Sequence, residues 1–107
     1  MKLSQVVLAA LLSSALPAQR VWVVDLMNRP GADFTSLQTA VDAAADGDTL
    51  LLRYVDPAAT QRAYDAPTIV AKGLVITGDG VQRAPILGIV RVRDLGPSQS
   101  VVLANLA

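Results

Sequence analysis

The chain has 107 residues, with 9 Lys+Arg against 9 Asp+Glu, 52% hydrophobic and 4% aromatic residues, and neither His nor Cys. A neutral chain without a basic run lacks the electrostatic footprint of a nucleic-acid binder, and its apolar content is that of a packed domain rather than a disordered one. Without Cys there are no disulfides, thiolate metal sites, thiol nucleophiles or lipidated N-terminal cysteine, and without His the commonest general base and metal ligand are missing.

Residues 1–18 read as a secretory signal, to be set aside before the fold is considered. Lys2 is the basic start, Val6 to Leu12 the apolar centre, and Ser13, Ser14, Ala15 and Ala18 the small residues of a cleavage site after Ala15 or Ala18. The apolar run is shorter than the ~20 residues that span a bilayer, so no membrane span is expected. Cleavage after Ala18 leaves 8 basic and 9 acidic residues, a net charge of −1. The expected destination is outside the cell, in a periplasm or on the cell surface, and residues 19–107 are the folded unit.

Val21 to Val24 is a β-branched and aromatic run, predicted as a strand and closed by the turn Asn28-Arg29-Pro30-Gly31. Thr35 followed three residues later by Gln38 is a capping box. Leu37, Ala40, Val41 and Ala44 form an apolar stripe at helical spacing, and Gly47 is a natural stop. The helix is therefore predicted from Ser36 to Ala45 or Asp46. Beyond it the period changes. Short strands are predicted at 49–54, 68–70, 73–77, 86–92 and 100–106, with a loop over 55–66.

The apolar runs that begin at Leu50, Leu74 and Val101 are 24 and 27 residues apart. Short strands recurring at that interval suggest a solenoid, and continuous apolar runs suit parallel strands buried on one side. An antiparallel sandwich is the competing arrangement, but no Asn-Gly or Asp-Gly pair joins two of these strands as a tight hairpin.

Gly31-Ala32-Asp33-Phe34-Thr35-Ser36-Leu37-Gln38, continuing to Ala44, resembles the opening segment of pectin methylesterases and related pectin-lyase-like proteins. Asp46-Gly47-Asp48-Thr49 and Lys72-Gly73-Leu74-Val75-Ile76-Thr77-Gly78-Asp79-Gly80 fit the same pattern. The resemblance implies a mainly β fold, a right-handed parallel β-helix of about two to three coils, whose N-terminal end is plugged by the helix. Leu37, Val41 and Ala44 would then face Leu50 or Leu52, with Phe34 at the rim. It also implies a polysaccharide context. The chain departs from the pattern at Tyr54-Val55-Asp56-Pro57, and the esterase group of one Gln, two Asp and one Arg belongs to later coils. No residue is assigned as catalytic or cofactor-binding.

The expected function is that of a secreted β-helix protein or fragment, not catalytic by itself. The alternatives are the N-terminal part of a carbohydrate esterase or lyase, and a structural or adhesive surface solenoid. Partners would be a polysaccharide, or a second copy through an open C-terminal coil. Asp42, Asp46 and Asp48 gather near the end of the helix, where carboxylates would suit Ca²⁺, although Asp around a glycine turn is ordinary turn chemistry. Asp79 with Arg91, Arg93 and Asp94 would make a carbohydrate-binding face or a plain solvated one. Trp22 and Tyr64 would stack on sugar rings, or Trp22 would join the core.

Overall fold

The computed structural model describes residues 19–56, 58–80 and 83–107. The signal-peptide reading of residues 1–18 lies outside them. Among the described residues, eight strands and one helix follow in the order β1 (Val21–Val24), α1 (Leu37–Ala43), β2 (Thr49–Leu52), β3 (Tyr64–Asp65), β4 (Thr68–Val70), β5 (Leu74–Gly78), β6 (Ile86–Leu87), β7 (Arg91–Arg93) and β8 (Val101–Ala104). Among the described residues no helix is long and apolar enough to cross a membrane.

Every ladder is parallel. One sheet has the order β1-β2-β5-β8, a second pairs β3 with β6, and a third pairs β4 with β7. Sequence neighbours on one sheet are thus a full turn of chain apart, which defines a β-solenoid of about three coils and excludes the sandwich. Val21, Thr49, Val75 and Val102 share one register position, so the coils measure 28, 26 and 27 residues. The repeat therefore begins at β1. Leu50 stacks on Ile76 rather than on Leu74.

Alternation decides what each strand buries. Trp22, Leu50, Ile76 and Leu103 form one inward column, and Val24 and Leu52 begin the next. Leu50, Leu52, Leu74 and Ile76 are buried, and with Ile69, Tyr64, Leu37, Ala40 and Val41 they make a single core. At the corner after the third sheet, Ala71 and Asp94 follow paired positions and both take positive φ, 53° and 61°. The same bend is thus built twice, one coil apart, without a glycine.

Four expected boundaries shift. The N-cap of α1 is Ser36, not Thr35, and its hydroxyl accepts from Thr39 N–H at 3.3 Å. Gln38 does not complete a capping box. It reaches across to β4, accepting from Thr68 N–H at 2.8 Å and donating to the Thr68 carbonyl at 3.0 Å. A long-range peptide group has outcompeted the local one. The helix stops at Ala43, with Ala44 as an extended C-cap, and Gly47 (φ 88°) serves the next turn instead. The loop expected over 55–66 contains β3, and the strand expected over 86–92 is divided by Gly88 (φ 105°) into β6 and β7.

The helix closes one end of the stack. It lies chiefly against β1, β3 and β4 rather than against β2, though Leu37, Val41 and Ala44 share the core with Leu50 and Leu52. Phe34 sits at the rim as expected, half-buried, with its ring 5.6 Å from that of Trp22 at 60°. Each fully buried side chain of this size contributes roughly 1.5–3 kcal/mol as an upper bound.

Candidate functional site

The position after each of the first three strands of the four-stranded sheet carries a charge. The register continues from Val24, Leu52 and Gly78 to Asp25, Arg53 and Asp79, held by Arg53 N–H to the Val24 carbonyl (2.9 Å) and Asp79 N–H to the Leu52 carbonyl (2.9 Å). Acid, base and acid therefore stack on successive coils.

Asp25 is fully buried and completely engaged. Its carboxylate accepts from Met27 N–H at 2.9 Å, Arg29 N–H at 3.2 Å, Arg29 Nε at 2.8 Å and Nη2 at 3.2 Å, and Arg53 Nη1 at 3.3 Å. Burial alone would raise its pKa. The Arg29 fork, the Met27 amide and Arg53 outweigh burial and hold it at about 2. Arg53 Nη1 also donates to the Pro30 carbonyl at 2.7 Å, and Arg29 Nη2 to that of Tyr54.

Two guanidinium groups thus share one buried carboxylate, and the exposed carboxylate of Asp79 beside them brings the formal charges of the cluster into balance. Arg29, Arg53, Tyr54 and Asp79 line a shallow depression of about 280 Å³ on the outer side of this cluster. Arg29 Nη1 and Arg53 Nε and Nη2 carry N–H donors not spent on the described hydrogen bonds, and a guanidinium edge with two donors matches a carboxylate or sulfate. Tyr54, half-buried beside them, offers a ring face with a polar tip. The depression is suited to holding an anionic, ring-bearing ligand.

Of the residues singled out from sequence, Asp79 lines this depression and the others are placed elsewhere. Asp42 and Asp46 are exposed and Asp48 is buried, each with its own partners. Asp42 accepts from Gln38 Nε2 at 3.0 Å. Asp46 ties three coils together, accepting from Gly73 N–H at 2.6 Å and Gln99 Nε2 at 3.1 Å. Asp48 accepts from Arg20 N–H (3.0 Å), Trp22 Nε1 (2.9 Å) and Ala45 N–H (2.9 Å). These bonds overcome the effect of burial and lower its pKa. Among the described residues, no three His, Cys, Asp or Glu side chains are grouped to hold a metal. Asp79 lies with Arg29 and Arg53, and no ion pair joins it to Arg91 or Arg93 among the described residues. Arg91, Arg93 and Asp94 are exposed on and after β7, one sheet away.

Tyr64 is not a stacking platform, because it is fully buried. Its hydroxyl lies 3.0 Å from the Val24 carbonyl and 2.8 Å from that of Arg53, and accepts from Leu26 N–H at 3.3 Å. Trp22 is half-buried, with the Arg20 guanidinium 5.4 Å from its ring centre. Arg29, Arg53 and Tyr54 were not among the expected site residues. The coil length would have exposed the charge ladder, since Asp25, Arg53 and Asp79 recur at two of its steps.

Compared with family profiles, with curated proteins and with solved structures, the chain matches none.

Proposed function

We propose that this is a secreted, right-handed parallel β-helix unit of pectin-lyase-like kind that binds an acidic polysaccharide without transforming it. The observation that carries this reading is the pair Arg29 and Arg53, both committed to Asp25 and together leaving outward N–H donors beside Tyr54 in an open depression. A sugar carboxylate would meet the outward guanidinium edges, and the sugar ring would lie against Tyr54. Asp79, at the far side, would reject an acid placed too deep and accept from a hydroxyl.

Calorimetric titration with oligogalacturonate and with a neutral glucan oligomer of equal length tests this. Acidic oligomers should bind and neutral ones should not. Tyr54→Ala should weaken binding by about tenfold, the scale of one lost ring contact. Asp79→Asn should strengthen it. Equal affinity for both oligomers, or none for either, would overturn the reading. N-terminal sequencing of exported protein should begin at Leu16 or Gln19.

A further inference from the structure

Two of the chain's Asp residues are followed by glycine, at Asp46-Gly47 and at Asp79-Gly80. Such a step has a built-in reaction. The aspartyl carboxyl carbon lies within reach of the next residue's backbone nitrogen, and attack there closes a cyclic imide. Glycine, without a Cβ, neither blocks the approach nor restricts the backbone that must bend to allow it. The reaction still needs a nitrogen free of other bonds and a side chain free to turn. The two steps differ in both respects.

Asp46-Gly47 is held at both groups. Gly47 N–H donates to the Gly73 carbonyl at 2.7 Å, and the Asp46 carboxylate accepts from Gly73 N–H at 2.6 Å and Gln99 Nε2 at 3.1 Å. Attack requires these ties to the next coils to break together, each at a cost. Asp79-Gly80 has no such ties among the described residues. The exposed Asp79 carboxylate enters no hydrogen bond or ion pair there, and Gly80 N–H donates in none of the described bonds. Apart from its chain neighbours, no heavy atom lies within 4 Å of where a Gly80 Cβ would stand. The bonds that do hold this stretch leave the reacting atoms alone. Asp79 N–H donates to the Leu52 carbonyl at 2.9 Å, and the Gly80 carbonyl accepts from Asn105 Nδ2 at 2.7 Å.

We propose that Asp79-Gly80 is a site of spontaneous modification, at which Asp79 converts to isoaspartate in the folded protein while the stack protects Asp46. Gly80 N attacks Cγ of the protonated Asp79 carboxyl group. The N–Cγ bond forms, the Cγ–OH bond breaks, and the hydroxyl leaves as water with the amide proton. Water then adds to the imide at the Asp79 backbone carbonyl carbon. The bond from that carbon to Gly80 N breaks, and the nitrogen regains its proton. One water is lost and one is gained, so no other reactant enters. The backbone now runs through the former side chain and is one carbon longer, while the carboxylate sits directly on Cα. Asp79 lines the depression with Arg29, Arg53 and Tyr54, so the change shortens a carboxylate at that rim.

The full chain, aged in warm, mildly acidic buffer and then digested with trypsin, tests this. Residues 73–83 form one tryptic peptide and hold Asp79-Gly80, whereas Asp46-Gly47 falls in another. Peptide 73–83 should split into two chromatographic forms of equal mass, the new one a substrate for an isoaspartyl methyltransferase. The Asp46 peptide should stay single. In urea that unfolds the chain both peptides should isomerise, because the protection of Asp46 comes from the fold. Gly80→Ala sets a methyl group in open space at a position without positive φ. It should suppress the product and leave the circular dichroism unchanged. No isoaspartate at Asp79 in the folded chain, equal amounts at Asp46 and Asp79, an Asp46 peptide that stays single in urea, or undiminished product in Gly80→Ala would overturn the proposal.

Discussion

Asp25 and Arg53 occupy the same place on successive coils, and Arg53 Nη1 lies 3.3 Å from the buried carboxylate. The contact couples the register of the stack to the charge of one group. Asp25→Asn would keep the shape but lose the charge that both guanidiniums answer. It is expected to cost about 2 kcal/mol, less than a fully buried pair, because Arg29 and Arg53 remain partly in water. Urea unfolding of the variant and the parent at pH 7 measures the difference.

The same group sets an acid limit. Its pKa falls from 3.8 to about 2 on folding, so the folded state binds fewer protons than the unfolded chain between those values. Its contribution is present in full above about pH 4 and is lost as pH falls towards 2, amounting to at most about 2 kcal/mol. Asp48, whose pKa is also lowered, acts in the same direction. Unfolding midpoints should therefore fall steeply below pH 4, and Asp25→Asn should flatten that fall. An unchanged pH slope in the variant would refute the assignment.

Tyr64 ties β3 to the other two coil segments through one hydroxyl. Tyr64→Phe keeps the ring but leaves Leu26 N–H without its acceptor and removes the single hydroxyl proton shared between the carbonyls of Val24 and Arg53, all in a buried place. A loss of about 1–3 kcal/mol is expected, with no change in core volume. Thermal melting followed by circular dichroism checks it. Burial also raises the phenol pKa, so the ring should resist ionisation until the protein unfolds in alkali.

Gln38 bridges α1 to both polar groups of Thr68. Gln38→Leu should destabilise the fold by about 1–2 kcal/mol, since a partly buried N–H and C=O lose their partner together. Gln38→Glu keeps the acceptor and loses the donor, so it should fall between the parent and Gln38→Leu. If Gln38→Leu melts with the parent, the bridge contributes nothing.

The parallel coil arrangement was legible because its cause is local: short apolar runs between turns, repeated at a nearly constant interval. What escaped was set by distance in sequence. Tyr64 looked like an exposed ring in a polar loop, since nothing near it shows that Val24 and Arg53 would converge on its hydroxyl. Gln38 looked like a capping residue because its actual partner lies 30 residues away. The charge ladder of Asp25, Arg53 and Asp79 was hidden for the same reason. It appears only once the rungs are aligned from β1, two residues off the alignment that the apolar runs alone suggest.

The plug helix makes the sharpest demand on a single side chain. Val41 is 2% exposed and faces the interior between the helix and the coil beneath it. Val41→Asp would set a carboxylate among apolar neighbours without a cation, at a position near the negative end of the helix dipole. Helix α1 is only seven residues long, too short to persist without its packing, so losing that face releases the helix and opens the first coil. The expected cost is at least the burial of Val41 itself, about 1.5–3 kcal/mol, plus the penalty for the charge. That is comparable to the whole stability of a domain this small, at about 0.05–0.15 kcal/mol per residue. Val41→Asp should therefore fail to fold, while Val41→Ala, which leaves a cavity but no charge, should fold with a lowered melting temperature. A soluble Val41→Asp protein that melts with the parent would show that α1 is an ornament on the stack rather than its closure.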